Sequence, residues 1–492
     1  MKRTRIVIAT LATLSLAGCA AVGPDHKAPE MKVATNFEHA DARGIKAGGV
    51  VDAQWWRLFR DATLTELVHQ AVAANHDLRV ASARVRQARA LRGIARADQY
   101  PTIDGLGTYQ RARLSENTPL SPPILDRGPE DLFQIGLDAN WELDLFGRVR
   151  RSVEAAEAEY DAAVERRRDV VVSMTAEVAR TYFELRGDQR QTDITRRNSA
   201  IQADLLSLTT ALAKSGLATD VDVARARAQL ETTRSALPAL AARVDAAIHR
   251  LSVLTGQQPL ALAETLREAA ELPHIPSNVA AGVPSELLRR RPDIRAAERE
   301  LAAATAQIGI ATAGLFPRIT LTGAVALLSG GLGTLLSSGS VLSSLGPQAM
   351  LPILNGGRIR SRIEAGNASQ QAALARYEQT VLHALEEAET ALSEFGKRHS
   401  VRDQLADSLA ANEEAVGLAR VRYEHGLESF LTILDAQREL LRAESALVQS
   451  EVAVRVDLVA VFKALGGGWA VPEQTAATVT TNGVPTKPRI LM

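Results

Sequence analysis

The side chains able to do chemistry in this chain are few and scattered. Its nine histidines show no HxxH or HExxH spacing, its single cysteine is Cys19, and no GxSxG segment occurs. Gly330, Gly331 and Gly333 form a glycine-rich segment, but neither the lysine nor the helix of a phosphate-binding loop follows, so we predict a turn or loop there. The sequence therefore predicts no catalytic residue, no metal site and no cofactor, and we expect the protein not to be an enzyme.

Cys19 follows a segment with the organisation of a bacterial export signal. A basic start precedes an apolar run over 6–16, which is too short to remain in a bilayer as a spanning helix. The two small residues before Cys19 resemble a lipobox, the processing site of bacterial lipoproteins. This resemblance implies removal of 1–18 and acylation of Cys19, and Ala20 in place of an aspartate favours the outer membrane. The alternative is an ordinary signal with an incidental cysteine.

Charge and composition narrow the class of protein. The 57 basic and 57 acidic residues balance, so nothing favours a nucleic-acid partner. Aromatic residues make up only 4% of the chain, and residues common in helices dominate. A chain of 492 residues usually forms several globular domains. Proline is absent over 130–237 and 353–471, however, which favours very long helices instead.

The sequence contains an internal duplication. Gly147 and its neighbours recur at Gly357, 210 residues further along, and this register holds for over a hundred residues. Upstream the offset is 216, as between Asp77 and Asp293, so the change in length lies between Pro101 and Gly147. A duplication of this kind predicts two copies of one structural unit, neither of which completes the fold alone.

Each copy is expected to contain a helix, a β-hairpin, a long helix and a return helix. Apolar residues recur at spacings of three, four and seven along the long helices, each of which would be on the order of 100 Å long. We expect Pro238 to interrupt and kink the first return helix. The expected segments are a signal peptide (1–18), a lipid-anchored extension (19–61), repeat 1 (62–256, with a helix over 62–99, hairpin 101–145, long helix 147–215 and return helix 219–256), an equatorial linker (257–283), repeat 2 (284–466, with a helix over 284–314, hairpin 317–354, long helix 357–425 and return helix 429–465), and a C-terminal tail (467–492) with a disordered end.

The first hairpin carries a strict alternation of apolar and polar residues over 133–144. This pattern is typical of a strand in a soluble sandwich, and equally of a transmembrane strand with a wet interior behind it. Four strands cannot close a barrel, and an open sheet edge in lipid leaves backbone groups unpaired. If these strands span a membrane, the chain must therefore oligomerise.

Seven short segments, in this order and at these spacings, carry a resemblance to a known family. They are VGPD (22–25), QWW (54–56), WELDLFG (141–147), RRPDI (290–294), LFP (315–317), PILNGGR (352–358) and LTILDAQR (431–438). Together with Cys19 and the duplication, they resemble the outer-membrane efflux protein family of TolC-like channels. Within it, the chain is similar to the lipoprotein branch that serves resistance-nodulation-division (RND) pumps.

This resemblance implies a mainly α fold with a transmembrane β-barrel. Four strands from each subunit of a homotrimer would form one twelve-stranded barrel, continued by an α-helical tunnel across the periplasm. It implies the exit duct of a tripartite efflux pump, which passes drugs or other toxic small molecules from an inner-membrane RND pump and a periplasmic membrane-fusion adaptor to the cell exterior. The implied location is the outer membrane of a Gram-negative bacterium, with lipid on Cys19 and no cofactor.

The resemblance also implies a gate at the periplasmic tip, formed by the LxxxDxxR pattern at Leu431, Asp435 and Arg438. Asp435 lies nine residues past Gly426, so it would stand about 14 Å from the turn. Three such carboxylates could form a cation-binding collar, with Arg438 tied to a neighbouring helix. The alternative is an exposed pair on a solvated helix, worth a few tenths of a kcal/mol. Repeat 1 has Arg225 in place of the aspartate, so only the second tip is predicted as a gate.

The two tip turns are the second implied site. In the family the adaptor docks at these turns, here Gly216-Leu217 and Gly426-Leu427. Glycine at such positions also closes helices in any protein, and both roles are compatible.

Two other functions stay open at this point. The chain could be a lipid-anchored periplasmic coiled-coil scaffold or adaptor without a pore, but that protein would not need the alternation over 133–144. It could also be an outer-membrane channel for type I protein secretion or for metal export. The chain has only five methionines and no cluster of histidines, so its composition does not favour metal export. The sequence does not name the transported substrate.

Overall fold

The computed structural model describes residues 21–40, 43–49, 51–113, 129–277 and 279–469. Cys19, the expected signal peptide and the end of the C-terminal tail lie outside these ranges. The chain divides into two compact units. The first comprises Met1–Met31, Ala83–Glu165 and Arg295–Thr380, and the second comprises Lys32–Ser82, Arg166–Ile294 and Val381–Met492.

The described part of the chain is mostly helical, and its element order repeats. A single 3-10 turn at Trp55–Phe59 precedes the first copy. The elements are β1 (Ile45–Lys46), α1 (Ala62–Ala74), α2 (His76–Ala97), β2 (Thr102–Ala112), β3 (Glu130–Leu143), α3 (Arg148–Lys214), α4 (Asp220–Leu254), α5 (Ala263–Leu266), β4 (Val279–Ala280), α6 (Pro284–Arg290), α7 (Pro292–Ala313), β5 (Arg318–Ser329), β6 (Val341–Met350), α8 (Arg358–Glu424) and α9 (Phe430–Ala464). The glycine-rich segment at 330–333 forms the turn region between β5 and β6, as the sequence predicted.

The first unit contains a four-stranded antiparallel sheet with the order β2-β3-β5-β6. Side chains alternate between its two faces, and Ile135 and Leu137 lie on the same face as their strand partners Leu327 and Val325. Ile135, Leu137 and Val325 are largely exposed in the single chain. Among the described residues, β2 and β6 each pair on one side only. The sheet therefore has an uncovered apolar face and two open edges.

The second unit holds the larger hydrophobic core. Trp55, Trp56 and Phe59 are fully buried in it, and the Trp55 ring stacks on Phe462 at 5.2 Å. Aromatic rings of this size bury much apolar area, and stacking adds to that gain. The QWW segment therefore joins the extension before α1 to α9.

Each helix expected before a hairpin is in fact two helices. The first breaks at Asn75, whose side chain accepts hydrogen bonds from the amides of Asp77 and Leu78 and so caps α2. The second breaks at Arg291, which is extended because Pro292 follows it. Each break depends on one residue, Asn75 in the first case and Pro292 in the second. The spacing of apolar residues does not predict either break.

The expectation that Pro238 interrupts the first return helix is wrong. Helix α4 continues through Pro238 from Asp220 to Leu254. Pro238 and Arg234, whose carbonyl loses its intrahelical partner, are both exposed, so water can satisfy that carbonyl. The kink itself stays a prediction.

Among the described residues, no helix has the length and apolarity needed to cross a bilayer. The same residues contain no cluster of His, Cys, Asp or Glu that could hold a metal ion.

Candidate functional site at the helical tips

The two predicted tip turns have the same backbone hydrogen bonds. The Leu217 amide donates to the Leu212 carbonyl at 2.9 Å and the Gly216 amide to that of Ala213 at 3.0 Å. At the second tip, Leu427 donates to Arg422 at 2.9 Å and Gly426 to Tyr423 at 2.9 Å. This six-to-one and five-to-two pattern is a Schellman motif, which satisfies the last carbonyls of α3 and α8.

The glycines in these turns are required by backbone conformation and not by crowding. Gly216 has φ +77° and Gly426 has φ +71°, and a Cβ added at either would meet no atom within 4 Å. The following side chains point away from the protein, since Leu217 is 77% exposed and Leu427 is 70% exposed. Each tip thus ends in an apolar side chain in open solvent, which is available to a partner.

The two return helices start differently. Thr219 and Asp222 form a reciprocal capping box at the start of α4, with the Thr219 amide 3.1 Å from the Asp222 carboxylate. Ser429 makes no side-chain cap at the start of α9. There, Glu428 accepts from the Arg422 guanidinium at 3.1 Å and from the Thr432 hydroxyl at 3.1 Å. The second return helix therefore lacks the capping box of the first, and Glu428 joins the two sides of its turn instead.

A small apolar core of its own holds the tips together. Its buried members come from all four long and return helices, and they are Leu205, Ala226, Ala419, Tyr423, Phe430, Ile433 and Leu434. The Tyr423 and Phe430 rings meet edge to face at 5.9 Å across the second turn. Because Ile433 and Leu434 face this core, the next residue along α9, Asp435, is turned outward.

The predicted gate residues lie together on that outward face of α9. Leu431 is 45% exposed, and the Asp435 side chain is 59% exposed. Arg438 Nη1 is 3.6 Å from Asp435 Oδ1, one helical turn away. Arg438 Nε also donates to Gln229 Oε1 on α4 at 2.6 Å. The guanidinium therefore joins the carboxylate to the neighbouring return helix.

Gln229 is a site residue that sequence reasoning missed. Its duplicate in repeat 2 is Glu439, so the repeat gives no hint of its role, and its partner Arg438 lies 209 residues away. Arg225 occupies the position that corresponds to Asp435, as expected from the sequence. The two partners of Arg438 thus come from different repeats: the Asp435 carboxylate from repeat 2 and the Gln229 amide from repeat 1.

A polar seam between α3 and α9 was also missed. Asn198 donates to Glu444 at 2.6 Å, Gln191 to Ser445 at 2.8 Å, and Arg190 to Glu451 at 2.7 Å. Toward the tip, polar side-chain atoms of Gln202, Tyr423 and Gln437 are buried, and none has a hydrogen-bond partner among the described residues. Such groups raise the cost of a dry, tightly packed interface. Polar side-chain contacts therefore join α3 to α9.

Comparison with known proteins identifies the family. The model of the outer membrane efflux protein family matches residues 67–257 and 283–467, which are the two copies of the duplication. The chain belongs to this family. It is 33% identical over 480 residues to the solvent efflux pump outer membrane protein SrpC of Pseudomonas putida, covering 94% of this chain and 98% of that protein. It is 34% identical over 469 residues to the outer membrane protein OprJ of Pseudomonas aeruginosa, covering 94% and 96%.

Solved structures give the same answer for the fold. The outer-membrane channel OprN superposes with a TM-score of 0.87 at 39% identity, covering 92% of this chain and all of that chain. The open state of the MtrE outer-membrane channel of Neisseria gonorrhoeae superposes with a TM-score of 0.79 at 29% identity, covering 92% and 99%. The predicted TolC-like fold class, the efflux function and the outer-membrane location are confirmed. The family consists of transport channels, and it is not an enzyme family.

Proposed function

We propose that this chain is the exit duct of a tripartite RND efflux pump, a lipid-anchored homotrimer gated at its periplasmic tips. The transported class is drugs, solvents or other toxic small molecules. The relatives named above include a solvent efflux pump protein, which supports this class. The duct is passive, and the pump and adaptor select what enters it.

The observation that carries the trimer is the open four-stranded sheet. Within the described part of the chain, its apolar face is uncovered, and β2 and β6 each have an unpaired edge. An unpaired edge in lipid costs several kcal/mol for each backbone group left unsatisfied. Closing the sheet with further copies of itself removes both edges, and three copies supply twelve strands.

The tips support docking and gating. The exposed Leu217 and Leu427 side chains on rigid Schellman turns suit an apolar contact with an adaptor. Asp435, Arg438 and Gln229 supply a carboxylate, a cation and an amide at one level of the tip. Three copies of this group around an axis would form a constriction. It would open when the contacts of Arg438 with Asp435 and Gln229 break.

The test is the mass and conductance of the purified protein. Native mass spectrometry in detergent is expected to give three copies, each carrying a diacylglycerol-modified Cys19 and no residues from 1–18. Planar bilayers are expected to record a small, mostly closed conductance. A lipidated trimer that never conducts would favour the periplasmic scaffold, and a monomer would contradict the closed sheet.

A further inference from the structure

The first described residues form a short segment, Ala21–His26, that lies against the junction between β3 and α3; we call it the strap. The Val22 amide donates to the Phe146 carbonyl at 3.1 Å. Gly147 has φ +81°, and a Cβ added there would lie 2.4 Å from the Ala21 Cβ. The strap therefore follows the surface of this junction at van der Waals contact.

One buried arginine holds the strap. Arg151 is 4% exposed, and its Nε donates to the Val22 carbonyl at 3.2 Å. Its Nη2 donates to the Gly23 carbonyl at 3.2 Å and to the Asp25 carboxylate at 2.7 Å. Its Nη1 donates to Glu154 at 2.7 Å, so every nitrogen of the guanidinium fork is in use. The VGPD segment is thus bound by a single side chain through two carbonyls and one carboxylate.

The strap also needs small residues and a second polar contact. A Cβ at Gly23 would lie 2.5 Å from the Gly309 Cα, and a Cβ at Gly309 would lie 2.8 Å from the Arg151 Cγ. Further along, His26 Nε2 lies 2.6 Å from Glu298 Oε1 on α7. The strap is therefore fixed between α3 and α7.

The duplication provides an internal control for this arrangement. Ser361 corresponds to Arg151, Gly93 to Gly309 and Gly357 to Gly147. A Cβ added at Gly93 or Gly357 would meet nothing within 4 Å. The equivalent site takes Gly357 and Ser361 from repeat 2 and Gly93 from repeat 1, so it has the same glycines but no arginine, and no described residue fills it. The clamp is therefore not a general need of this helix start.

Aromatic side chains lie where the strands of the sheet meet the helices. Phe146, which accepts the Val22 hydrogen bond, stacks on Phe316 at 4.8 Å. The Trp141 indole donates to the Gln99 carbonyl at 3.0 Å, and Tyr100 beside it is exposed. Aromatic residues of this kind gather at the level where a membrane protein meets the lipid headgroups.

We propose that Arg151 clamps the strap so that acyl chains on Cys19 enter the bilayer beside these aromatic side chains, and that this sets the depth of the sheet in the membrane. Cys19 precedes Ala21 by two residues, so chain geometry limits their Cα separation to about 7 Å. The partner is the phospholipid leaflet on the periplasmic side of the outer membrane. The inference rests on the proposed function, since it requires a lipid on Cys19 and a sheet in the bilayer.

The experiment uses the full lipidated protein in vesicles of phosphatidylethanolamine and phosphatidylglycerol. Acylation of Cys19 leaves an introduced Ile103→Cys on the exposed apolar face as the only free thiol. A nitroxide there reports depth through its collisions with oxygen and with a water-soluble nickel complex. Trypsin cleavage after the exposed Lys27 reports release of the strap.

Arg151→Met is expected to speed cleavage at Lys27 by about tenfold or more, because local opening controls cleavage, and to broaden and shift the depth of the nitroxide. Arg96→Met, which removes an exposed arginine paired with Glu157 away from the strap, is expected to change neither. Faster cleavage with unchanged depth would overturn the proposal. So would cleavage that stays at the wild-type rate.

A milder variant guards against misfolding of Arg151→Met. The Asp25 carboxylate is 84% exposed, so Asp25→Ala should fold normally and give smaller changes of the same sign. Mass spectrometry and conductance of the wild type distinguish failure of this inference from failure of the proposed function. A lipidated, conducting protein with an unresponsive depth overturns only this inference, whereas a wild type without lipid overturns the inference and the anchor together.

Discussion

The Arg291 guanidinium donates to the carbonyl oxygen of Ala464, the last residue of α9, at 2.9 Å. In the other repeat, the Asn75 amide donates to the carbonyl of Leu254, the last residue of α4, also at 2.9 Å. Arg291 is 216 residues after Asn75, and Ala464 is 210 residues after Leu254, so these are the same joint in the two copies. The duplication is preserved at the level of individual hydrogen bonds although the donor has changed.

Asn75→Ala is expected to lower the free energy of unfolding by about 1–3 kcal/mol, because it removes the cap of α2 and leaves the buried Leu254 carbonyl without its donor. The measurement is the apparent unfolding temperature of the second unit in detergent. Asn412→Ala is the matched control, since Asn412 is a half-buried residue within α8 whose side-chain amide bonds only its own helix. An equal effect of the two substitutions would contradict this account of the joint.

Arg291 carries a charge that Asn75 lacks, and two carboxylates lie beside it. It bonds Asp293 at 2.7 Å and Glu387 at 2.8 Å. Burial and the nearby Asp293 carboxylate raise the pKa of Asp169 in this cluster, although Arg291 opposes that shift. The second joint is therefore an ionic network where the first is a single neutral hydrogen bond.

Gly426→Ala is expected to destabilise the second tip by about 1–2 kcal/mol, because the turn needs a left-handed backbone that a Cβ disfavours. Hydrogen exchange of the amides around Leu427 is expected to speed up by about tenfold. Gly417 lies within α8, the helix that this turn ends, and a Cβ added there would have open space around it. Gly417→Ala is therefore expected to be neutral or stabilising. Faster exchange in both variants would mean that the turn has no special backbone demand.

His399 is expected to make the second unit less stable below neutral pH. Burial, reinforced by Arg402 and Arg43, lowers the pKa of His399 in the fold, while Asp403 opposes the shift. The unfolded chain therefore takes up this proton first as pH falls through about 6.5, and stability decreases by at most about 1.4 kcal/mol per pH unit until the folded pKa is reached. Above that window the contribution is fully present.

The measurement is the unfolding temperature between pH 5 and 8 for wild type, His399→Phe and His383→Gln. The first variant keeps a ring against Phe395, which the His399 ring meets edge-on at 4.7 Å, but removes the proton site. The second removes an exposed histidine from the same helix. Loss of the acid-sensitive part in His399→Phe alone is expected, and an unchanged pH profile in that variant would refute the assignment.

The duplication also predicts how neighbouring copies pair in the closed sheet. Strand β2 corresponds to β5, and β6 corresponds to β3, so β6 should pair with β2 of the next copy as β3 pairs with β5. The observed pair Asp138↔Ala324 then predicts that Gln348 lies opposite Thr108 of the neighbouring copy.

Thr108→Cys with Gln348→Cys is accordingly expected to give a disulfide between copies on mild oxidation, since directly opposite Cβ atoms come within reach of one. Thr108→Cys with Ser344→Cys places the second thiol on the same face but four residues out of register. Preferential cross-linking of that control pair would show that the two interfaces are not equivalent.

Particular residues explain how much the sequence could predict. The tip glycines and the proline-free stretches mark the ends of long helices because each acts on its own backbone, and the alternation over 133–144 marks a strand for the same reason. Asn75 as the donor to Leu254, Gln229 as a partner of Arg438 and Arg151 as the clamp were not predicted. Each acts on a residue brought close only by the fold, from 128 to 209 residues away for Gly23 and Arg438.

Single-channel conductance in planar bilayers shows whether the protein is a gated pore. Asp435→Ala with Arg438→Ala is compared with wild type and with Glu439→Ala/Arg442→Ala, which removes an exposed ion pair of the same spacing one turn further along α9. A gate at Asp435 and Arg438 predicts a small, mostly closed conductance in wild type and in the control, and a large, mostly open one in the first double variant. A folded trimer that stays closed in that variant would contradict the gate, and one that conducts in none of the three would contradict the channel.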